Sequence, residues 1–387
     1  MLPFCDQDHL TLRARAHKWI DENLPPIRNQ SSSLEERAIE LTKALGAEGF
    51  LKYTVPADFG GIRPAVAARD LCILREELAR GDSLADTMFA MQALGSYPIT
   101  LAGNREQKHR LLPSIADGSC IAAFAITEEA AGSDVASLES RAVRRGPMYC
   151  LTGTKRFISN AGIADSYVAF VSTDRAKKGH GISAFLLDGK VPGLIVKEKT
   201  ELLSPHPIGV VEFNDCLVSE DALLGAEGQG LEIAFSTLDL LRSTVGAAAA
   251  GLAQRALDEA IRYSKERRQF GRPIAEFQAT EFKLAEMATE LEAAKLLVYQ
   301  AAWAHDCAEH DAKRKSSMAK LYATEAAQRI VDQALQIHGG NGLIAGSIME
   351  RLYRDVRALR IYEGTSEIQK LIIARSLLDS SGVKRKG

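Results

Sequence analysis

Ile121-Ala122-Ala123-Phe124-Ala125-Ile126 is the run at which this chain changes texture. It is short and wholly apolar, and runs of the same β-rich kind follow at residues 167–171, 183–187 and 209–213. Clusters of Gly, Pro and Asp separate them, as expected of a compact antiparallel β domain. Upstream, the chain reads as helix. Ser33-x-x-Glu36 and Asn104-x-x-Gln107 are capping boxes, whose side chains satisfy the free N–H groups of a helix start. Pro25-Pro26 and the segment from Pro56 to Gly60-Gly61 read as turns. Downstream of Gly228-Gln229-Gly230 the helical period returns. Leu284, Met287, Ala288, Leu291, Ala294 and Val298 define one buried stripe, and the alanines at 247–250 suit close helix approach. The expected class is α+β in α–β–α order: an N-terminal helical domain (1–118), a middle β domain (119–228) and a C-terminal helical domain (229–387).

A chain of 387 residues has room for two or three domains. Its 48 basic and 50 acidic side chains nearly cancel, so charge gives no reason to expect nucleic acid or an anionic membrane. The basic cluster at the tip, Lys384-Arg385-Lys386, reads as a solvated tail. The longest apolar run, 245–253, is far short of the roughly 20 residues that span a bilayer. Asp6 and Asp8 stand where a secretory apolar core would be, so no signal peptide and a cytoplasmic location are expected. The six cysteines lack a C-x-x-C pair and read as buried free thiols without a metal. His305 and His310 read as a solvated helix end.

Four segments and one carboxylate carry candidate chemistry. In Phe124-Ala125-Ile126-Thr127-Glu128-Glu129-Ala130-Ala131-Gly132-Ser133-Asp134, the Thr127 hydroxyl and the backbone N–H groups around Gly132-Ser133 can bind a polar heterocycle; a plain strand exit explains them as well. In Lys155-Arg156-Phe157-Ile158-Ser159-Asn160, strand alternation puts Phe157 and Ser159 on one face, where one covers a flat ring and the other bonds its edge. Core packing is the alternative for Phe157. Glu266-Arg267-Arg268-Gln269-Phe270-Gly271 offers an Arg fork for a pyrophosphate. Gln336-Ile337-His338-Gly339-Gly340-Asn341-Gly342 is either a backbone open to close ligand approach or a helix terminus. Finally, Ile361-Tyr362-Glu363-Gly364-Thr365-Ser366-Glu367-Ile368 sets Glu363 among apolar and small neighbours. A carboxylate placed there loses solvation, its pKa tends to rise, and it can serve as a general base near neutral pH; an ordinary helix-end Glu beside a Gly is the alternative.

In this order and spacing the segments resemble the acyl-CoA dehydrogenase family over essentially the whole chain. The likeness is strongest at 238–375, where Gly251-Leu252-Ala253-Gln254-Arg255-Ala256-Leu257-Asp258 and Arg267-x-Gln269-Phe270-Gly271 are similar to short- and medium-chain members. The resemblance implies an N-terminal α-helical domain, a middle antiparallel β-barrel domain and a C-terminal four-helix bundle, assembled as a homo-oligomer, with a tetramer expected. It implies FAD lined by Phe124, Ile126, Thr127, Gly132, Ser133, Phe157 and Ser159. Arg267, Gln269, Phe270, Gln278, Gln336, Gly339 and Gly340 would hold its adenine dinucleotide across a subunit interface, and Thr365 and Glu367 would touch it beside the base. Ser133, Asp239, Arg242 and Gly364 match acyl-CoA contacts. Glu363 would take the α-proton of a thioester while the β-hydride leaves to the flavin. Members that carry the base elsewhere use the position of Leu241, which cannot serve here.

The departures from that pattern are informative. The loop Lys199-Thr200-Glu201-Leu202-Leu203-Ser204-Pro205-His206-Pro207 lacks the Arg of many relatives. Phe157 replaces the commoner Trp, and Asp86-Thr87-Met88-Phe89-Ala90-Met91 lacks the Arg of glutaryl-specific members. The expected electron acceptor is an electron-transferring flavoprotein. The rivals are a dehydrogenase of carrier-protein thioesters, a flavin oxidase, and a nucleic-acid-binding flavin protein.

Overall fold

The computed structural model describes residues 4–30 and 33–380. The Lys384-Arg385-Lys386 cluster lies outside the described residues. Two compact units emerge. One combines Met1–Leu24, Ala68–Asp86 and Asp239–Gly387; the other combines Pro25–Ala67 and Thr87–Leu238. The first five helices are α1 (Gln7–Gln30), α2 (Leu34–Ala47), α3 (Ala68–Gly81), α4 (Ser83–Ala102) and α5 (Arg105–Ala116). Ser33 caps α2 by accepting from the Glu36 amide, and Asn104 and Gln107 close a full capping box on α5. Pro25 and Pro26 do not make a turn: α1 runs through them. Buried Leu24 and Ile27 hold the helical path on either side, so the prolines can bend the helix without ending it.

The second unit carries the sheet. Its strands are β1 (Ala122–Ala125), β2 (Arg141–Arg145), β3 (Met148–Ser159), β4 (Ser166–Ser172), β5 (Ile182–Asp188), β6 (Leu194–Lys199), β7 (Ile208–Ser219) and β8 (Leu223–Leu224). They are ordered β6-β7-β3-β2-β4-β5-β8, with β1 added beside β4. The expectation of an antiparallel barrel needs two corrections. The sheet is open, since no pairing among the described residues joins β6 to β8. It is also mixed: β1 runs parallel to β4 from Ala122–Ser166 to Ala125–Ala169, and β2 meets β4 in parallel at the single pair Arg141–Ser172. β1 and β2 both run in the direction of β4, so neither can close an antiparallel ring. Tyr149, Leu151, Tyr167, Phe185, Val211 and Phe213 centre the core on this sheet.

Bulges shape β3. Its register with β7 slips between Leu151 and Gly153 and again between Lys155 and Ile158. A Cβ on Gly153 would come within 2.6 Å of the Ser140 backbone, so only glycine fits the first bulge. At the second, Phe157 takes φ +56°. The alternation that put Phe157 and Ser159 on one face is therefore interrupted, as bulges do.

The first unit is helical. It holds most of α6 (Gly230–Glu266), the hairpin β9 (Arg268–Gln269) and β10 (Arg272–Pro273), and then α7 (Gln278–Asp306), α8 (Ala312–His338), α9 (Ile348–Ala358) and α10 (Ser366–Ser380). The small residues do bring helices close. A Cβ on Gly246 of α6 would meet Val298 Cγ2 of α7 at 2.8 Å and the Ala319 carbonyl oxygen of α8 at 3.3 Å. The α7 stripe is buried at Met287, Leu291, Ala294 and Val298, but Leu284 is half-buried and Ala288 exposed. The early turns of α7 instead border an open groove of about 450 Å³, lined by Ala285, Met287, Glu290, Arg329 and Gln333. All six cysteines are free. Cys72, Cys120, Cys150 and Cys216 are buried, whereas Cys307 is exposed and Cys5 half-buried. Among the described residues no helix is long and apolar enough to cross a membrane.

Candidate active site

Glu363 occupies the turn between α9 and α10 with its side chain 8% exposed. Its φ of +53° is a left-handed conformation that costs a non-glycine residue about 1–3 kcal/mol. Lys320 of α8 holds the turn in that shape: its ammonium donates to the carbonyl oxygens of Tyr362, at 2.6 Å, and of Gly364. Gln369 of α10 donates to the same Gly364 oxygen at 2.9 Å. Gly364 has φ +92°, and a Cβ there would press on the Gln369 side chain at 2.7 Å. The turn needs glycine at 364.

Arg75 of α3 reaches the carboxylate from another element. It is 2% exposed and donates from Nε and Nη2 to the two oxygens of Asp86, at 2.8 and 2.9 Å. Its Nη1 donates to Thr244 Oγ1 at 3.0 Å and stands 3.8 Å from Glu363 Oε1. Glu363 Oε2 is buried and has no hydrogen-bond partner. Burial raises the Glu363 pKa, and Arg75, Lys320 and Arg242 restrain the rise. Arg242 is itself buried and paired with Asp239, with its Nε left without a partner. A raised pKa and a buried, unoccupied acceptor oxygen are what a proton-abstracting carboxylate requires.

The sequence matches the family models "Acyl-CoA dehydrogenase, N-terminal domain" over residues 6–119, "middle domain" over 123–216 and "C-terminal domain" over 228–378. A 3-(aryl)acrylate reductase of Clostridium sporogenes is 39% identical over 378 residues, covering 97% of this chain and 100% of that one. The chain belongs to the acyl-CoA dehydrogenase family. Among solved structures, butyryl-CoA dehydrogenase from Megasphaera elsdenii superposes with a TM-score of 0.90 at 33% identity, covering 97% of this chain and 99% of that one. A prolyl acyl carrier protein oxidase superposes with a TM-score of 0.87 at 30% identity, covering 96% and 99%.

In this acyl-CoA dehydrogenase the residues expected at a dinucleotide fall into a group on each unit. On the helical unit, Arg267, Gln269 and Phe270 sit on the β9–β10 hairpin and Gln278 opens α7, all exposed. The Phe270 ring is 94% exposed. Tyr263 ties this end of α6 to the Gly-rich turn: it stacks on His338 at 4.3 Å, and its hydroxyl accepts from Asn341 at 2.8 Å. Gln336, Gly339 and Gly340 are thereby brought to the same place, and a Cβ on either glycine would meet nothing within 4 Å. Thr365 accepts from the Ile368 amide at the start of α10, and Glu367 is exposed beside it. Exposed guanidinium, open glycine backbone and uncovered aromatic ring fit the phosphates and rings of FAD.

On the sheet unit, Gly132 and Ser133 are exposed and Thr127 is half-buried. Phe157 is 47% exposed, with the Arg156 guanidinium 4.9 Å from its centroid. Phe124 and Ile126 are buried: the first packs on Phe170, and the second offers its carbonyl to Lys155. Their side chains serve the core, so only their backbone is available to a ligand. Ser159 Oγ lies 3.0 Å from His206 Nε2, and His206 Nδ1 faces the Ser204 carbonyl at 3.2 Å. Burial lowers the His206 pKa. The neutral ring must donate from Nδ1 to that carbonyl, so Nε2 accepts the Ser159 proton. The loop that lacks the Arg of many relatives thus reaches Ser159 through His206.

Sequence reading passed over Arg75, Thr244 and Lys320. The signal for Lys320 was present: it shares a helical face with Ala323, Thr324 and Ala327, all buried. Arg75 likewise lies in a run, Leu71 to Ala79, that is buried throughout. A cation on an apolar face needs a polar partner, and here the partners come from distant segments.

Proposed function

We propose that this FAD-dependent dehydrogenase of the CH–CH class oxidises an acyl-CoA thioester to its 2-enoyl form, with Glu363 as the base. The buried, unpartnered Glu363 Oε2 carries this reading. An α-proton beside a thioester is far too weakly acidic for a free carboxylate. The Glu363 amide is the candidate donor that polarises the thioester carbonyl and stabilises the developing enolate. Glu363 then accepts the α-proton at the oxygen left open by its surroundings, while Lys320 and Gln369 keep the turn in place. When bound, FAD supplies the acceptor for the hydride leaving the β-carbon. In this reading the cofactor-binding residues of the helical unit are Arg267, Gln269, Phe270, Gln278, Gln336, Gly339, Gly340, Thr365 and Glu367. Those of the sheet unit are Phe124, Ile126, Thr127, Gly132, Ser133, Phe157 and Ser159. Asp239, Arg242, Ser133 and Gly364 contact the acyl-CoA, and the domain limits are 1–118, 119–228 and 229–387.

The physiological assembly in this reading is a homo-oligomer, with a tetramer expected. Phe270, Phe282, Leu343 and Ile344 are large apolar side chains left more than half exposed on the helical unit, which a neighbouring subunit would cover in this reading. Arg267→Ala is expected to purify with depleted FAD and a weakened oligomer. Losing one charge-assisted contact costs about 1.5–3 kcal/mol of cofactor binding. Flavin absorbance against protein mass, with light scattering, measures both; full occupancy at unchanged mass would return Arg267 to an ordinary surface role.

Bleaching of the flavin by a panel of acyl-CoAs without oxygen tests the reaction itself. After reduction, turnover is expected to be fast with an electron-transferring flavoprotein and slow with air, because bound product and a dry site exclude oxygen. Air oxidation as fast as that by the flavoprotein would favour an oxidase. A second reading, a carrier-protein thioester as substrate, is supported by the likeness to the prolyl acyl carrier protein oxidase. Bleaching by acylated carrier protein and by no acyl-CoA would establish it.

A further inference from the structure

We infer that Arg75 and Asp86 form a buried charge pair that biases the protonation of Glu363, with Arg75 acting as the positioning residue that favours its ionised form. The inference deepens the proposed function and rests on Glu363 being the base.

The geometry is specific. Arg75 has its guanidinium fixed on three sides, by both oxygens of Asp86 and by Thr244, so the cation cannot swing away from Glu363. One edge, Nη1, remains 3.8 Å from Glu363 Oε1, too long for a hydrogen bond and close enough for strong attraction where water is excluded. That edge favours the carboxylate without occupying its oxygens, which stay available to a substrate proton. Asp86 works in the opposite sense, neutralising much of Arg75 and adding a negative charge near the base.

The other charged or titratable groups facing Glu363 are Lys320 on α8, Arg242 on α6 with its partner Asp239, and Tyr362 on the same turn. Lys320 is committed to the Tyr362 and Gly364 carbonyls and Arg242 to Asp239. Arg75 is the largest influence holding the Glu363 pKa down against burial. Among these groups Arg75 and Asp86 have opposite effects on one carboxylate, which separates this role from simple structural support.

The test follows the pH dependence of anaerobic flavin reduction in the wild type, Arg75→Met, Arg75→Lys and Asp86→Asn. Alongside it, the infrared band of the protonated Glu363 carboxyl, identified as the band missing in Glu363→Gln, is titrated without substrate. Removing the Arg75 cation disfavours the carboxylate, so in Arg75→Met both the acid limb and the band titration move up by about one pH unit. Asp86→Asn moves both downward, and Arg75→Lys stays near wild type because the charge is retained. Unmoved titrations in folded Arg75→Met, or shifts in the same direction for Arg75→Met and Asp86→Asn, would overturn the inference. If no thioester reduces the wild-type flavin, the proposed function fails, but the infrared titration still decides the role of Arg75.

Discussion

Glu363→Gln is expected to bind FAD and acyl thioester as the wild type does and to lose flavin reduction by a factor on the order of 10²–10⁴. The amide matches the carboxylate in shape, and the turn around it is held by backbone contacts from Lys320 and Gln369 that the substitution leaves alone. Binding and chemistry should therefore separate cleanly. Among the described residues the nearby carboxylates are already paired, Asp239 with Arg242. Asp86 is locked to Arg75, and position 241, where other members carry the base, is a buried leucine. Rapid mixing without oxygen, with substrate in excess, reads the loss directly. Reduction at the wild-type rate would remove Glu363 from the base role.

The second large effect is expected away from the base. Lys155 is fully buried in the sheet unit, donating to Glu128 at 2.7 Å and to the Ile126 carbonyl at 3.2 Å. Burial pulls its pKa down to about 8 despite the carboxylate beside it. Glu128 also accepts from the amides of Glu139 and Ser140, at 2.6 and 3.0 Å. One buried pair thus fastens the Thr127 end of the loop to the point where β2 begins, with Gly132 and Ser133 carried between. Lys155→Met strands the Glu128 charge and is expected to cost about 3–5 kcal/mol. The double variant Lys155→Met with Glu128→Gln, which leaves no unpaired charge, should cost clearly less. Urea midpoints of the two compare them, and equal losses would show that packing of the Lys155 stem, not the charge, matters.

What was legible in the sequence was whatever repeats locally. Helix caps at Ser33 and Asn104 need only four consecutive residues; both residues cap their helices, and at Asn104 the full box forms. The α–β–α order followed from texture alone, and Glu363 stood out because its neighbours are apolar or small. What was missed depends on pairing at a distance. Nothing near Arg75 announces that Thr244 lies against it, and Lys320 meets the 362–364 carbonyls across more than forty residues. The bulge that re-aims Phe157 is likewise set by register with β7, not by its own strand. The open, mixed sheet reflects strand direction, which alternating hydrophobicity does not encode.

The base role of Glu363 is tested by following the α-proton itself. Wild-type enzyme and Glu363→Gln are mixed without oxygen with a reactive acyl-CoA in D2O, and thioesters are analysed by mass while flavin absorbance is recorded. The wild type is expected to form one 2-enoyl thioester per flavin bleached and to place deuterium at the α-carbon of recovered substrate, while Glu363→Gln binds the thioester and does neither. Deuterium entering at the wild-type rate in Glu363→Gln, or flavin bleached without an enoyl product, would contradict the base role.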